Sequence, residues 1–373
     1  MTNQPHILHV FDNFRVGGTE VRTCRIINGL GSAFRHTIVS MRGNFAAAGL
    51  IDPAVAIDYV HPQNLSDCNR LQLLLRINQY LRQTAPHLLV AYDWGAIDWA
   101  MSNVIRRVCR CVMTIEGFEE SELFRQQPKR WLLRRLFYPR CDQVVGCSTV
   151  LCTIARDSWG VRAPGKLLHI PNGIDCTQFQ PSPGKQDQPD QDQPGREVVL
   201  GIVGSLIKLK NHALLLESMA LAAAKVPLRL VIVGEGPERA NLEQRCVELG
   251  IAGQVSFTGL LENPASVLQD LDIYCLASIT EQMPMVVLEA MATGLPVVGT
   301  DVGDVREMVA EANKPFIVPS GDAQQYAQAL ETLARDAVRR KELGQANLEK
   351  CREQYDERLM VERYRELYLQ TGQ

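Results

Sequence analysis

Several features that would quickly assign this chain to a class are missing from its 373 residues. No apolar run reaches the roughly 18–20 residues that a membrane-spanning helix needs. The net charge is −3, whereas dedicated nucleic-acid-binding proteins are usually basic, so we expect no nucleic-acid partner. Polar Met1–His6 runs directly into an apolar segment without a secretory leader pattern. We therefore expect a cytoplasmic protein that can touch a membrane only from outside.

Cofactor signals are also weak. The 11 cysteines include no Cys-x-x-Cys pair, which favours reduced thiols that serve as small core residues. Two Asp-x-Asp sequences could in principle bind a metal ion, but neither looks like a metal-bound motif. Asp190-Gln-Asp192 lies in a low-complexity stretch, and Asp270-Leu-Asp272 lies between a predicted helix and a predicted strand. Gly234-Glu-Gly236 begins like a dinucleotide fingerprint, but Arg239 occupies the third glycine position. We expect neither a required metal nor another cofactor.

What the sequence does contain is a regular alternation of short apolar runs and helical patterns. Predicted strands are His6–Phe11, Arg35–Met41, His87–Tyr92, Cys111–Ile115, Val198–Val203, Leu228–Val233, Gln254–Thr258, Ile273–Ala277 and Pro296–Gly299. Predicted helices are Glu20–Leu30, Leu71–Thr84, Ala213–Ala224, Glu238–Leu249, Pro284–Ala292 and charged helices from Ala323 onward. This alternation indicates parallel sheets covered on both faces.

The polar stretch Pro181–Arg196 has no large apolar residue to bury, so it divides the alternation in two. We predict domains at residues 1–176 and 198–354, a linker at 177–197 and a C-terminal segment at 355–373. The fold class is α/β, with two Rossmann-like doubly wound domains facing a central cleft. Ligands in such domains bind at the C-terminal ends of the strands.

The most informative segment is 278–298. A buried strand ends at Ala277, Pro284 suits the first position of a helix, and Gly294 suits its left-handed cap. The start of that helix offers backbone N–H groups and a partial positive charge to phosphate or sugar hydroxyls. Glu281 precedes the helix and Glu289 lies within it.

This segment resembles the Glu-x7-Glu motif of the retaining GT-B glycosyltransferases of family 4. The resemblance implies that Glu281 lies by the donor sugar and that Glu289 holds the ribose hydroxyls. It also implies that the amides of Gln282 and Met283 contact sugar and phosphate. Where the family usually has glycine, this chain has Gln282. Two further donor-binding candidates, Pro284 and Leu288, lie in the predicted helix that contains Glu289.

Other segments extend the resemblance over nearly the whole chain, and it implies that the C-terminal helix at 355–373 crosses back to the first domain. The segments are Pro171–Asp175 with Phe179, Val203–Asn211, Val231–Pro237, Phe257–Gly259 and Asp301–Glu307. By this resemblance Gly259 lies near the base, and Lys210 pairs with the donor diphosphate. A fixed ammonium there would stabilise the leaving group, although a solvated lysine in a basic loop is the alternative. The family usually has an arginine two positions after the valine that corresponds to Val203. This chain has Ser205 there, so it lacks a side chain that could bind phosphate through two parallel hydrogen bonds.

Two further candidates lie in the first domain. Gly17 and Gly18 follow the first strand, and glycines there let backbone N–H groups approach a phosphate, or simply form a tight turn. Glu116 stands where many relatives have a histidine near the donor sugar. A carboxylate can accept hydrogen bonds from sugar hydroxyls but cannot replace an imidazolium. With Glu119 and Glu120 nearby, an acidic surface loop is the alternative.

Arg125–Arg140 is basic and amphipathic, with six cationic residues around Trp131 and several leucines. Such a stretch can rest on an anionic membrane, or it can be an ordinary surface helix packed on its own domain. Many members of the resembled family take lipid-linked acceptors. We therefore hypothesise a peripheral position on the inner face of the membrane.

Together these residues predict a metal-independent, retaining hexosyltransferase. Its donor would be a UDP- or GDP-linked sugar, and its acceptor a saccharide or lipid-linked hydroxyl in cell-envelope polysaccharide or glycolipid synthesis. Glu281, Lys210 and Glu116 are the catalytic candidates, and no protein nucleophile is assigned. The alternatives are a sugar-nucleotide epimerase of the same fold, a non-catalytic nucleotide-sugar-binding protein and, more distantly, an NAD-dependent oxidoreductase.

Overall fold

The computed structural model describes residues 4–65, 68–118, 122, 126–182, 196–261 and 263–370. Contacts divide it into two compact units, Met1–Asn172 with Arg358–Gln373, and Gly173–Glu357. Residues just after Asn172 belong to the second unit because Ile174 bridges Asp356. Most of the predicted linker lies outside the described residues, as do Glu119, Glu120, Arg125, Asp190 and Asp192.

The first unit contains a seven-stranded parallel sheet in the order β3-β2-β1-β4-β5-β6-β7. Its strands are β1 His6–Phe11, β2 Arg35–Ser40, β3 Ile57–Val60, β4 Leu88–Tyr92, β5 Arg110–Ile115, β6 Gln143–Gly146 and β7 Leu167–His169. Its helices are α1 Gly18–Leu30, α2 Arg70–Thr84, α3 Ile97–Ile105, α4 Pro128–Phe137, α5 Thr149–Asp157 and, from the C-terminal segment, α13 Glu357–Leu369. The chain order reverses between β1 and β4, which makes the ends of these two strands the switch point of this sheet.

The last helix packs into the core of the first unit. Met360, Val361, Tyr364 and Leu367 are buried among side chains of β1 and α1. The fit against α1 is close: a Cβ added to Gly29 would lie 2.8 Å from both methyl carbons of Val361. Apolar burial therefore fixes the C-terminal segment to the unit in which the chain begins.

The second unit contains a six-stranded parallel sheet in the order β10-β9-β8-β11-β12-β13. Its strands are β8 Val198–Val203, β9 Leu228–Val233, β10 Val255–Gly259, β11 Ile273–Leu276, β12 Val297–Thr300 and β13 Ile317–Val318. Its helices are α6 His212–Ala223, α7 Arg239–Glu248, α8 Ala265–Asp270, α9 Met285–Ala292, α10 Val305–Met308, α11 Ala323–Arg335 and α12 Ala337–Gln354. Here the switch point lies between β8 and β11.

The two-domain α/β fold predicted from the alternation is confirmed. Several details differ from the prediction. Helix α9 begins at Met285, and Pro284 is its N-cap with an extended ψ of 122°, so Pro284 is not the first helical residue. Strands β3, β6, β7 and β13 were not predicted. β3 and β7 lie at the edges of the first sheet and are only partly buried, and β6 and β13 have only four and two residues, so none leaves a long apolar run to detect.

Gly294 ends α9 as predicted, with φ +78°. Helix α12 packs closely against the Gly294 carbonyl through Gly344. A Cβ at position 344 would lie only 2.1 Å from the Gly294 oxygen, so no larger residue fits there. Within the part of the chain that the structure describes, no helix is long and apolar enough to cross a membrane.

Candidate functional site

In the second unit, Lys210 and Glu281 meet at the switch point. Lys210 ends the loop after β8 and Glu281 lies in the loop after β11, and these strands are neighbours. The Lys210 Nζ donates to Glu281 Oε1 at 2.6 Å, and Ser278 Oγ donates to the same oxygen at 2.7 Å. The two charged side chains are 28% and 13% exposed, so the pair is accessible to a ligand from one side.

The loop that carries Glu281 is held on two sides by backbone contacts. Ile279 N–H donates to Leu209 O at 2.8 Å, which ties it to the loop of Lys210. Asp304 N–H donates to Gln282 O at 2.8 Å on the other side. Gly303 has φ +55°, and a Cβ there would lie 2.4 Å from Glu281 O, so this close approach requires glycine. The loop geometry is therefore fixed before any ligand binds.

The remaining donor-side candidates lie at several places in the second unit. Ser205 is exposed in the loop that carries Lys210, and Glu289 is the fifth residue of α9 and partly exposed. Leu288 is fully buried and Met283 is 6% exposed, so their side chains pack inside the unit. Gly259 ends β10, where its carbonyl accepts from Gly234 N–H at 2.9 Å. The ligand roles of all these residues stay predictions.

In the first unit a pocket of about 470 Å³ opens at the switch point between β1 and β4. Its lining combines four carboxylates, three arginines and four aromatic rings; these are Asp12, Glu20, Asp93, Glu116, Arg15, Arg42, Arg134, Phe11, Tyr92, Trp94 and Phe118. Gly17 caps α1 and Gly18 is its first residue, while the next two residues, Thr19 and Glu20, reach the pocket. Carboxylates beside aromatic faces are suited to a polyhydroxylated ligand.

Glu116 is not part of an exposed acidic surface. Its side chain is 10% exposed and forms an ion pair with Arg22 from α1, which is 1% exposed. Burial raises the pKa of Glu116, and the Arg22 guanidinium opposes this rise. The carboxylate pairs with Arg22 on one side and lines the pocket, so the arginine fixes its orientation.

Asp93 is a functional candidate that the sequence reasoning missed. It follows β4 with φ +53° and ψ −163°, a conformation that costs a non-glycine residue free energy. Its Oδ1 accepts from the Glu116 N–H at 2.7 Å. Burial, then the negative charge of Glu116, raises the pKa of Asp93 to about 7. A strained, titratable carboxyl in a pocket often marks a functional site, but the position after a strand was the only signal in the sequence.

Helix α4 only partly fits the predicted basic surface. Arg134 is buried, forms two hydrogen bonds of 2.8 Å with buried Glu122, and lies 5.2 Å from the Trp159 ring centroid. Arg130 also pairs with Glu122 at 3.0 Å. Burial works against the charged form of Glu122, but these arginines hold its pKa below the ordinary value. Two of the predicted surface cations therefore serve internal packing.

The other face of α4 is exposed. Trp131, Leu132 and Leu136 are 36%, 49% and 41% exposed, and the exposed cations Lys129 and Arg135 lie beside them. Among the residues that the structure describes, no cluster of three or more histidine, cysteine, aspartate or glutamate side chains is arranged to hold a metal ion.

Asp93→Asn should change the pH dependence of stability. The folded-state pKa of Asp93 lies above its unfolded value of about 4, so the wild-type protein loses stability as pH rises from about 4 to about 7. Asparagine keeps an oxygen for the Glu116 N–H but cannot ionise. We expect its melting temperature to exceed that of wild type by several degrees or more at pH 8 and to match it near pH 4.

The groups acting on Asp93 are Glu116, Arg22, the Gly117 N–H and, more remotely, Tyr138 and Cys147, and none is altered by this substitution. Asp58→Asn is the matched control, because Asp58 is exposed and pairs with exposed Arg35. Parallel melting curves for wild type and Asp93→Asn across this pH range would contradict the assignment.

Comparisons with known proteins agree with the sequence resemblance. A model of glycosyl transferases group 1 matches residues 185–350, and a model of Glycosyltransferase Family 4 matches residues 16–178. The putative glycosyltransferase EpsD of Bacillus subtilis is 29% identical over 319 residues, covering 82% of this chain and 81% of EpsD. The lipopolysaccharide core biosynthesis glycosyltransferase LpsE of Rhizobium meliloti is 28% identical over 352 residues, covering 94% of this chain and 95% of LpsE.

Solved structures show the same fold. Anabaena HepE, in a complex with UDP and glucose, aligns with a TM-score of 0.80 at 20% identity, covering 97% of this chain and 99% of HepE. Sucrose-phosphate synthase from Thermosynechococcus elongatus aligns with a TM-score of 0.76 at 18% identity, covering 98% of each chain. Since the two family models together span nearly the whole chain and the neighbours share its two-sheet architecture, this protein belongs to the family 4 glycosyltransferases of the GT-B fold.

Proposed function

We propose that this glycosyltransferase moves a hexose from a nucleoside-diphosphate sugar to a hydroxyl acceptor with retention of the anomeric configuration. The observation that carries the proposal is the ion pair between Lys210 and Glu281 at the switch point of the second unit. The bond that breaks joins a sugar to a phosphate. A cation beside it suits the phosphate, and a carboxylate fixed next to that cation suits the sugar hydroxyls.

In this proposal Lys210 exchanges its contact with Glu281 for the donor diphosphate. As the glycosidic bond breaks, negative charge builds on the leaving phosphate, and the ammonium stabilises it without a metal ion. Glu281 is then released to accept hydrogen bonds from the donor sugar, and Glu289 from the ribose. The leaving phosphate takes the proton of the attacking hydroxyl, so the proposal needs no nucleophile from the protein.

The base of the donor is proposed to be uracil, with guanine as the alternative. Complexes of HepE with UDP, with UDP and glucose and with UDP-glucose support this choice. LpsE, named for lipopolysaccharide core synthesis, supports an acceptor from cell-envelope polysaccharide or glycolipid synthesis. We assign the acceptor to the pocket of the first unit, where Glu116, oriented by Arg22, accepts a hydrogen bond from an acceptor hydroxyl.

Nucleotide choice is tested by a thermal-shift screen of UDP, GDP, ADP and their common sugars. A ligand that binds the folded state raises the melting temperature by mass action, and we expect UDP and UDP-sugars to give the largest rise. A largest rise with GDP-sugars would identify the guanine alternative. Free donor sugar changing configuration without an acceptor would indicate an epimerase instead, and binding without transfer or donor hydrolysis would indicate a binding protein.

Variants separate the roles of the donor-side residues. Lys210→Ala should lower the rate of donor turnover, measured as UDP release, by about 100-fold or more, because it removes the charge that stabilises the leaving group. Glu281→Gln should also lower turnover, whereas Glu289→Ala should mainly weaken UDP binding in the thermal-shift assay. Lys208→Ala is the matched control, since Lys208 is an exposed lysine of the same loop. Equal losses in the Lys208 and Lys210 variants would refute the site.

We further propose that the exposed face of α4 rests on an anionic membrane surface, which would make this a peripheral protein on the inner face of the membrane. The apolar side chains Trp131, Leu132 and Leu136 would enter the interface, and Lys129 and Arg135 would contact acidic head groups. Each basic residue near such a surface contributes about 1 kcal/mol.

Flotation with vesicles tests this contact. We expect salt-sensitive binding to vesicles that contain phosphatidylglycerol and little binding to pure phosphatidylcholine. Arg135→Glu should weaken binding by about fivefold or more, given the contribution of one basic charge, whereas the charge-matched control Arg363→Glu, on an exposed position of α13, should not. Equal binding by both variants, or none by wild type, would remove the membrane proposal and leave an ordinary surface helix.

A further inference from the structure

The carboxylate of Glu281 receives both of its hydrogen bonds on one oxygen. Lys210 Nζ donates to Oε1 at 2.6 Å, and Ser278 Oγ donates to the same atom at 2.7 Å. Among the residues that the structure describes, none donates to the second oxygen, Oε2. Since the Glu281 side chain is 13% exposed, the protein holds one oxygen and leaves the other available to a ligand.

Ser278 is itself fixed by its neighbours. It lies just after β11 and is 1% exposed. Its backbone oxygen accepts from Thr300 Oγ1 at 2.7 Å, and Thr300, the last residue of β12, is fully buried. The next residue, Ile279, donates its N–H to Leu209 O at 2.8 Å. Because a hydroxyl has a single proton to donate, the proton of Ser278 is committed to Glu281.

The two donors to Glu281 differ in what they can do when a ligand arrives. Lys210 has a long, flexible side chain, and in the proposed function it turns to the donor diphosphate. Ser278 then remains as the donor to Glu281 within the part of the chain that the structure describes. Without this hydroxyl the carboxylate would follow the ammonium, because opposite charges attract each other over this distance. The hydroxyl therefore keeps Glu281 in place and leaves Lys210 to act on the phosphate alone.

We propose that Ser278 is a positioning residue of the donor site, whose hydroxyl holds Glu281 in the orientation that binds the donor sugar after Lys210 has turned to the diphosphate. This inference rests on the proposed function, because it concerns the carboxylate that is assigned there to the sugar. Ser278 acts through Glu281 and does not touch the donor. It determines how strongly the site prefers the nucleotide sugar, its substrate, over the free nucleotide, its product.

The second unit offers a matched serine as a control. Ser218 in α6 is fully buried, and its Oγ donates to Leu214 O at 2.7 Å. Removing either hydroxyl therefore deletes one buried hydrogen bond of the same length. The acceptor of Ser218 is a helix carbonyl, whereas the acceptor of Ser278 is the charged group assigned to the sugar. A loss that both variants share reflects packing, and a loss confined to Ser278 reflects its position beside Glu281.

The experiment measures dissociation constants of UDP and UDP-glucose by calorimetry, and donor turnover, on the full-length protein. Where another nucleotide sugar gives the largest thermal shift in the screen, that sugar and its free nucleotide are the probes. Ser278→Ala should bind UDP as wild type does, but bind UDP-glucose about tenfold more weakly and turn it over about tenfold more slowly, the usual loss for a hydrogen bond to a charged group. Ser218→Ala should keep wild-type affinity and turnover.

A double-mutant cycle separates positioning from a structural role. If Ser278 acts through Glu281, its hydroxyl has nothing to hold in the Glu281→Ala variant. In that background Ser278→Ala should change the ratio of the UDP-glucose and UDP dissociation constants by less than about twofold, the usual limit of additivity. A structural role would instead give the same loss of UDP-glucose affinity with and without the Glu281 side chain.

Wild-type UDP-glucose affinity in Ser278→Ala, or that same loss in both backgrounds, would overturn the inference. If Glu281→Ala itself leaves UDP-glucose affinity and turnover unchanged, the proposed function fails; a loss in Glu281→Ala with none in Ser278→Ala removes only the role of Ser278. A crystal structure of the wild-type protein with UDP-glucose needs no variant. It should keep the 2.7 Å contact of Ser278 Oγ with Glu281 Oε1 while Lys210 contacts the diphosphate, and a Glu281 turned away from Ser278 would contradict the inference.

Discussion

The adjacency of β8 and β11 is the constraint on which the donor-side assignment depends. In a parallel sheet the C-terminal ends of neighbouring strands lie at the same edge, and the reversal of chain order leaves a gap there that no crossover helix fills. The loop after β8 ends in Lys210 and the loop after β11 carries Glu281, so two side chains distant in sequence meet at 2.6 Å. Gly303 lets a third loop pack closely against the backbone of Glu281.

The first unit repeats this logic with different chemistry. Its switch point lies between β1 and β4, and the loops that follow β1, β4 and β5 bring together carboxylates instead of a lysine. Two buried carboxyls cannot both ionise easily in one pocket. Arg22 compensates the charge of Glu116, whereas burial and the charge of Glu116 raise the pKa of Asp93 to about 7. Glu116, which stands where the sequence resemblance leads us to expect a histidine, is thus paired with a buried arginine.

The fold could be predicted from the sequence because most of the short buried strands are runs of apolar residues. Such runs can be recognised without knowing which residues contact them in space. Strands β3 and β7 were missed, since these edge strands are only partly buried, and so were β6 and β13, which are short. Asp93 was also missed, because its strained backbone and raised pKa arise from neighbours distant in sequence. The motif around Glu281 and Glu289 was recognisable because loop and helix are contiguous. The ion pairs of Glu116 with Arg22 and of Arg134 with Glu122 were not, because one amphipathic pattern describes both exposed and buried cations.

A crystal structure of the protein with bound UDP tests the central claim most directly. The account predicts a diphosphate oxygen within about 3 Å of Lys210 Nζ, a usual length for a charge-assisted hydrogen bond, with the Lys210 contact to Glu281 broken and the ribose hydroxyls on Glu289. A nucleotide bound elsewhere, with Lys210 still paired to Glu281, would contradict it.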